Sequence, residues 1–372
     1  MKLTIERSAL LAALGHVQSV VERRNTIPIL SNVQLSADGG ALNLTATDLD
    51  LAVVAQVPSQ VEQGGATTTS AHTLYDIVRK LPDGAQIVLK LGDSDGRLAV
   101  AAGRSEFVLP CLPREDFPVI AEGELPIKFS IGAIELKRLI DKTRFAISTE
   151  ETRYYLNGIY VHHTDHEGVA MLRAVATDGH RLARVDTPLP DGAAGMPGII
   201  VPRKAVNELR KLVEDTEDSI SVALSDTKIR FSFGSTVLTT KLIDGTFPDY
   251  ARVIPEGNDK VLEADNKVLS DGVDRVSTIS TEKSRAIKLE IAEGKLTLSA
   301  TSPESGSAVE ELAVSYHGDG LEIGFNARYL LDIAGQVDGD VVRFTMSDAV
   351  SPTIVEDGGD TASLFVLMPM RV

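Results

Sequence analysis

One short pattern occurs three times in this chain and constrains its fold more than any other feature. Leu42-Asn43-Leu44-Thr45-Ala46-Thr47-Asp48 returns as Leu172-Arg173-Ala174-Val175-Ala176-Thr177-Asp178 and again as Leu296-Thr297-Leu298-Ser299-Ala300-Thr301-Ser302. The copies lie 130 and 124 residues apart, and one third of the 372 residues is 124. Each copy reads as a strand that ends in a polar turn. A chance match of one such segment is common, so the case rests on whether other elements recur in the same order.

They do. A candidate helix opens each third, over about Ser8 to Val21, Ile134 to Ile147 and Asn266 to Ile279. In the second of these Ile134, Leu136, Leu139, Ile140 and Phe145 fall at roughly helical spacing, with Glu135, Lys137, Arg138 and Lys142 on other faces. A second helix follows the middle of each third, over Leu74 to Leu81, Ala205 to Val213 and Tyr329 to Val337. Pro82-Asp83-Gly84 and Asp338-Gly339 supply stop signals. The thirds also end alike: Phe107-Val108-Leu109-Pro110 leads to Phe117-Pro118, Leu238 to Leu242 leads to Phe247-Pro248, and the chain closes on Leu364 to Met370. The pattern predicts an α+β chain of three like domains, each with two helices on antiparallel strands, over 1–126, 127–255 and 256–372. Such units either stand as simple duplicates or pack edge to edge into an arc or ring, which would protect their edge strands.

Composition narrows the function. The net charge is −16, there is no Trp, and aromatic content is 5%, which argues against a base-stacking nucleic-acid binder and against a uniformly basic coat on DNA. The single cysteine, Cys111, excludes a disulfide framework and any multi-cysteine metal site, and fits a reduced, cytoplasmic setting. No stretch approaches about 18 apolar residues, so no membrane span is expected. Glu6 and Arg7 interrupt the apolar N-terminus, which reads as a strand and then a helix rather than a signal peptide.

Candidate chemistry is sparse. No phosphate-binding glycine loop or nucleophile-elbow motif occurs. His162-His163-Thr164-Asp165-His166 is the best metal candidate, but it reads as a polar hairpin turn between Tyr160-Val161 and Val169-Ala170. Asp178-Gly179-His180-Arg181 is the best acid–base candidate. Asp178 recurs as Asp48 and Ser302, however, which points to turn chemistry with a side-chain oxygen accepting backbone N–H bonds. Cys111 has only Arg114 as an electropositive neighbour and reads as inert. No cofactor or metal is expected. Basic residues recur on or beside the helices: Arg23 and Arg24, Arg79 and Lys80, Lys137 and Arg138, Arg203 and Lys204, Arg210 and Lys211, and Arg275. Acid gathers elsewhere, as in Glu214-Asp215-Thr216-Glu217-Asp218. These cations serve either as solvated helix faces or as a basic surface for phosphate. The apolar terminus Phe365 to Met370 holds two methionines around Pro369, a pattern that suits an adaptable binding surface.

Several stretches together resemble one family, the bacterial β sliding clamps, the processivity subunits of DNA polymerase III. They are Ile27 to Val33, Thr45 to Leu49, Arg153 to Gly158, Ala176 to Leu182, Val201 to Lys204, Asp244 to Tyr250 and Met368 to Arg371, in family order across all three thirds. The resemblance implies a non-catalytic head-to-tail homodimer, a closed ring of six similar domains with helices lining the hole and sheets outside. It places Phe107 and Leu109 against the region of Ile279 in the partner chain. It implies sequence-blind contacts to double-stranded DNA from Arg24, Arg79, Lys137, Arg138, Arg153, Tyr154, Arg203, Lys204 and Arg210.

It also implies a hydrophobic groove between the second and third domains. That groove would take short peptides of the polymerase α subunit, the clamp-loader δ subunit, other DNA polymerases and repair proteins. Matching positions are Leu156, Thr177, Gly179, His180, Arg181, Leu182, Pro248, Arg252 and Val253, then Asn326, Tyr329, Val350, Val366, Met368, Pro369, Met370 and Arg371. Departures from the family pattern fall at His72, Ser284, Pro352 and Val372. The other readings are a peptide-binding scaffold that does not touch DNA, and an enzyme using Asp178 and His180.

Overall fold

The computed structural model describes residues 1–92, 96–120, 123–214, 218–280 and 285–371. Ser284, Val372 and the middle of the acidic run at 215–217 lie outside the described residues. Among the described residues six α-helices form, two in each third: α1 (Arg7–Gln18), α2 (Ala71–Lys80), α3 (Ala133–Arg144), α4 (Arg203–Val213), α5 (Asn266–Ser277) and α6 (Ala327–Ala334). Every one begins on the residue after a strand ends. That junction works without a loop because the last strand residue caps the helix. Glu6, Ser70, Asp265 and Asn326 accept N–H bonds from the first turns of α1, α2, α5 and α6. In α4 the buried positions Ala205, Val206, Leu209, Leu212 and Val213 recur at three- and four-residue spacing, so one face packs and the other meets water. Ile134 does not join such a face in α3. It is 71% exposed, while Leu136, Leu139 and Ile140 are buried, because two residues from Leu136 is half a helical turn away.

The first and third copies of the repeated strand alternate, whereas Leu172 to Ala176 of the second are all buried. Leu42, Leu44 and Ala46 are buried between half-exposed Asn43 and Thr45, and Leu296, Leu298 and Ala300 repeat this in the last third. The sheets do not respect the repeats. One 13-stranded antiparallel sheet carries the first repeat and part of the second, joined where Leu51–Pro58 pairs with Thr236–Lys241. A nine-stranded sheet carries the rest of the second repeat and part of the third, joined where Arg181–Pro188 pairs with Asp360–Leu367. A four-stranded sheet completes the third. The chain therefore divides by contact into two compact units, and the second repeat contributes to both.

The histidine run departs from expectation. His162, His163 and His166 lie within the strand Gly158–His166, paired with Val169–Thr177, and the reversal falls at Glu167-Gly168. Alternation on the sheet separates neighbouring histidines onto opposite faces, which is why they do not converge. Among the described residues no group of three or more His, Cys, Asp or Glu is placed to hold a metal ion. No described helix is long and apolar enough to cross a membrane.

Candidate binding cleft

The site is built on the turn that closes the repeated strand. In the second repeat Thr177 Oγ1 donates to Arg181 O (2.7 Å) and accepts from Gly179 N (3.1 Å). Asp178 Oδ1 accepts from His180 N (2.9 Å) and Arg181 N (3.0 Å). Gly179 takes φ 89°, the left-handed region that glycine tolerates. The first repeat makes the same turn: Asp48 Oδ1 accepts from Asp50 N and Leu51 N, Thr47 Oγ1 bonds Leu51 O and Leu49 N, and Leu49 takes φ 85°. In the third, Ser302 Oγ accepts from Glu304 N and Ser305 N. Asp178 is thus a turn residue. Its other oxygen binds Arg181 Nε (3.1 Å), while the His180 ring faces Tyr329 at 6.2 Å. Its oxygens are occupied, and it is not poised for proton transfer.

Arg181 anchors the site from below. Its guanidinium bonds Asp178, Asp332 Oδ2 (2.5 Å) and Phe145 O (2.6 Å), and lies 4.3 Å from the Tyr329 ring centroid and 5.1 Å from that of Phe145. Burial raises the Tyr329 phenol above its usual range. Asn326 caps α6 and so fixes Tyr329. The terminal strand continues past Leu367: Met368 N donates to His180 O (2.9 Å), and Met370 N to Gly324 O (2.9 Å).

These elements enclose a cavity of about 250 Å³. Its apolar floor is Leu156, Leu182 and Val366, the last two directly opposite each other across paired strands. Pro248 and Val253 form a wall, and Thr177, Gly179, Arg181 and Met368 form the turn side. Two further residues line it. Tyr155, beside Leu156, was not expected there, and Arg153 was expected on DNA. Arg153 holds Glu150 with two bonds of 2.7 Å, which lowers the Glu150 carboxyl, and its Nη1 sits where a Cβ on Gly179 would be (2.6 Å). The floor rests on a buried cluster that includes Val175, Ile200, Phe247 and Leu364.

His180, Arg252, Asn326, Tyr329, Val350, Pro369, Met370 and Arg371 do not line the cavity itself. His180, Asn326 and Tyr329 stand behind its turn side. Arg252 pairs with Asp249 (2.8 Å), Val350 is 73% exposed, and Arg371 is exposed.

The basic residues divide in two. Arg24, Arg79 and Arg203 are exposed, Arg79 with its guanidinium 3.2 Å from Asp76, and Tyr154 is exposed as well. Arg138 is engaged with Asp360 Oδ2 (2.7 Å), Ser363 Oγ and Asp186 O, Lys204 with Asp48 and Glu22, and Arg210 with Glu214. Lys137 is half-buried. Sequence periodicity places a cation on a helix but does not reveal which carboxylate of a distant strand has claimed it. At the expected partner contact Phe107 and Val108 are exposed and Ile279 is half-buried, but Leu109, on the same strand face as Phe107, is buried within its own repeat.

Three family models describing the DNA polymerase III beta subunit match the chain: the N-terminal domain over residues 1–121, the central domain over 130–249 and the C-terminal domain over 251–371. The Beta sliding clamp of Caulobacter vibrioides is 56% identical over 372 residues, and that of Escherichia coli K12 is 39% identical over 373, each covering 100% of both chains. Among solved structures, the Caulobacter crescentus beta sliding clamp with bound polyethylene glycol gives a TM-score of 0.98 at 56% identity, covering 100% of this chain and 99% of that one. A griselimycin-bound Bartonella birtlesii sliding clamp gives 0.97 at 54%, covering 100% of both. Three copies of one α+β domain, each matched in order by its own family model, make this chain a member of the beta sliding clamp family, the beta subunits of DNA polymerase III.

Proposed function

We propose that two copies of the chain join head to tail into a six-domain ring around double-stranded DNA and carry replication proteins along it without catalysing any reaction. The observation that carries this reading is an unfinished pattern of strand pairing. In the first and second repeats, the strand after the repeated turn pairs with the last strand of the following repeat: Leu51–Pro58 with Thr236–Lys241, and Arg181–Pro188 with Asp360–Leu367. The third repeat has the corresponding strand, Gly306–Ala313, at the open end of its sheet. The first repeat has the corresponding last strand, Ser105–Leu112, and its residues 105–110 pair on one side only. A second copy supplies what each edge lacks; because the edges differ the contact is heterologous, and two such contacts between the same two copies leave no edge open and make a ring rather than a filament.

Val309 is 68% exposed on the open strand, and Val309→Lys is expected to weaken the dimer by about tenfold to a hundredfold. Sedimentation equilibrium reads this directly. A variant as dimeric as the parent would place the contact elsewhere.

Encirclement makes strong adhesion unnecessary. Exposed cations such as Arg24, Arg79 and Arg203, with Tyr154, touch phosphate in many nearly equal registers, which permits sliding, whereas base readout would stop it. With a net charge of −16, carboxylates that face outward would repel the duplex and keep it central. Loaded onto a nicked circle, the protein is expected to stay bound and to run off once the circle is cut. Equal retention on linear DNA would favour adhesion over enclosure.

The cleft is the docking point for short peptides of the polymerase α subunit, the clamp-loader δ subunit, other polymerases and repair proteins in the cytoplasm. An apolar anchor buried there contributes about 1.5–3 kcal/mol. Tethering on one DNA then raises effective concentration.

A further inference from the structure

We infer that His162 is a positioning residue for the cleft: through Tyr250 and Tyr160 it holds the wall that carries Pro248 and Val253, and peptide capture weakens when its imidazole takes up a proton. The inference rests on the peptide-docking reading above. His162 reaches the wall at both ends. Its Nε2 lies 2.9 Å from Tyr250 Oη, at the start of the 3-10 turn Tyr250–Val253 that delivers Val253 to the cavity. Its ring stacks on Tyr160 (4.8 Å, 27°), which stacks on Phe247 (4.9 Å, 7°), the residue before Pro248.

The tautomer follows from the other nitrogen. His162 Nδ1 lies 2.9 Å from His163 O, and a carbonyl only accepts, so Nδ1 carries the hydrogen and Nε2 accepts from the Tyr250 hydroxyl. That hydroxyl in turn accepts from Arg173 Nη1 (3.4 Å). A proton on Nε2 removes the acceptor. Tyr250 Oη would then face two donors, and its own hydrogen would lose its partner.

The charges around the ring favour the neutral form. Burial lowers the His162 pKa, and Arg173 on the adjacent strand and His163 lower it further. The contact with the His163 carbonyl and the Asp186 carboxylate act the other way, but Asp186 is already bidentate to Arg173. Tyr160 faces the ring with its own pKa raised by burial, and Tyr250 faces it through its hydroxyl. Because the folded pKa lies below the ordinary histidine value, the ordered wall is fully present above about pH 6.5 and is lost progressively as pH falls.

The test is fluorescence anisotropy with a labelled peptide copied from the clamp-binding segment of a DNA polymerase III α subunit, titrated into the full-length protein. Affinity at about pH 5.5 is expected to be about twofold to fivefold weaker than at about pH 7.5, the lowered pKa keeping the loss below the roughly tenfold that an ordinary histidine would give. His162→Phe, which keeps the stack and removes the titrating group, should flatten that dependence. Tyr250→Phe should weaken binding at the higher pH and flatten the curve as well. His180→Gln, at the turn side of the cleft, should leave the slope in place. A wild-type affinity that ignores pH, a slope that survives in His162→Phe, or one that disappears in His180→Gln overturns the positioning role. Failure of the peptide to bind at either pH would instead overturn the docking reading itself.

Discussion

Arg173→Met is expected to cost the unit that contains it about 3–5 kcal/mol. Arg173 and Asp186 lie directly opposite on adjacent strands, bonded Nε to Oδ1 at 2.6 Å and Nη2 to Oδ2 at 2.7 Å, with side chains only 11% and 4% exposed. The Asp186 bond raises the Arg173 pKa above its usual value despite burial, so the arginine stays charged at any accessible pH. Methionine fills much of the volume but leaves a nearly dry carboxylate without its partner. Arg184, two residues from Asp186 on the same face, recovers some of the loss. Its own pKa is lowered, mainly by burial and then by Arg173, and that second effect disappears in the variant. The double change Arg173→Met with Asp186→Leu should restore most of the stability, since it removes the stranded charge along with its partner. Native-state hydrogen exchange over residues 169–188 is the measurement. Protection within about 1 kcal/mol of wild type in the single variant would show that the pair is not what holds these strands.

Val253→Asp is expected to weaken peptide binding by about a hundredfold with little loss of stability. Val253 lines the cavity and is 42% exposed, so the folded protein tolerates a carboxylate there, whereas a bound apolar anchor would have to desolvate it. Removing residues 368–372 should have a comparable effect by another route. The loss takes away Met368 from the cavity and the two backbone bonds, to His180 O and Gly324 O, that tie the terminal segment down. The dimer should survive both changes, because neither touches Ser105–Leu112 or Gly306–Ala313. Isothermal titration with an α-subunit peptide and a mass measurement on the same samples separate the two effects. Unchanged peptide affinity in both variants would remove the cleft from partner binding.

Much of this architecture is written in local signals. The strand Leu42 to Asp48 and its two copies announce themselves by recurrence before a polar turn, and the six helices of the described residues by apolar spacing and stop signals. Their boundaries shift by a few residues because caps such as Glu6 and Ser70 are also the last strand residues. The turn role of Asp178 was legible from its recurrence as Asp48 and Ser302. What the sequence does not carry is pairing at a distance. Nothing local in Thr236–Lys241 indicates that its partner is Leu51–Pro58, nearly two hundred residues earlier, so three repeats become two contact units only in three dimensions. The same blindness explains Arg138, a surface cation by periodicity, whose carboxylate Asp360 lies 222 residues away. Among the residues that line the cavity, the family resemblance named Leu182 and Val366, but Tyr155 needed the geometry of the 3-10 segment Glu151–Leu156.

The turn that builds the cleft exists in the first repeat as well, down to the bond from Lys241 N to Asp50 O that matches the one from Met368 N to His180 O. Yet the facing pair Leu182 and Val366 is replaced there by Ala52 and Thr239, and Lys241, where the cleft has Met368, is bridged to Asp50 (2.9 Å). Duplication thus copied the scaffold and left its oily lining behind at one junction. Among the described residues each chain then offers one berth of this kind, so a pair closed as proposed would seat two partners side by side and make a third wait for a vacancy.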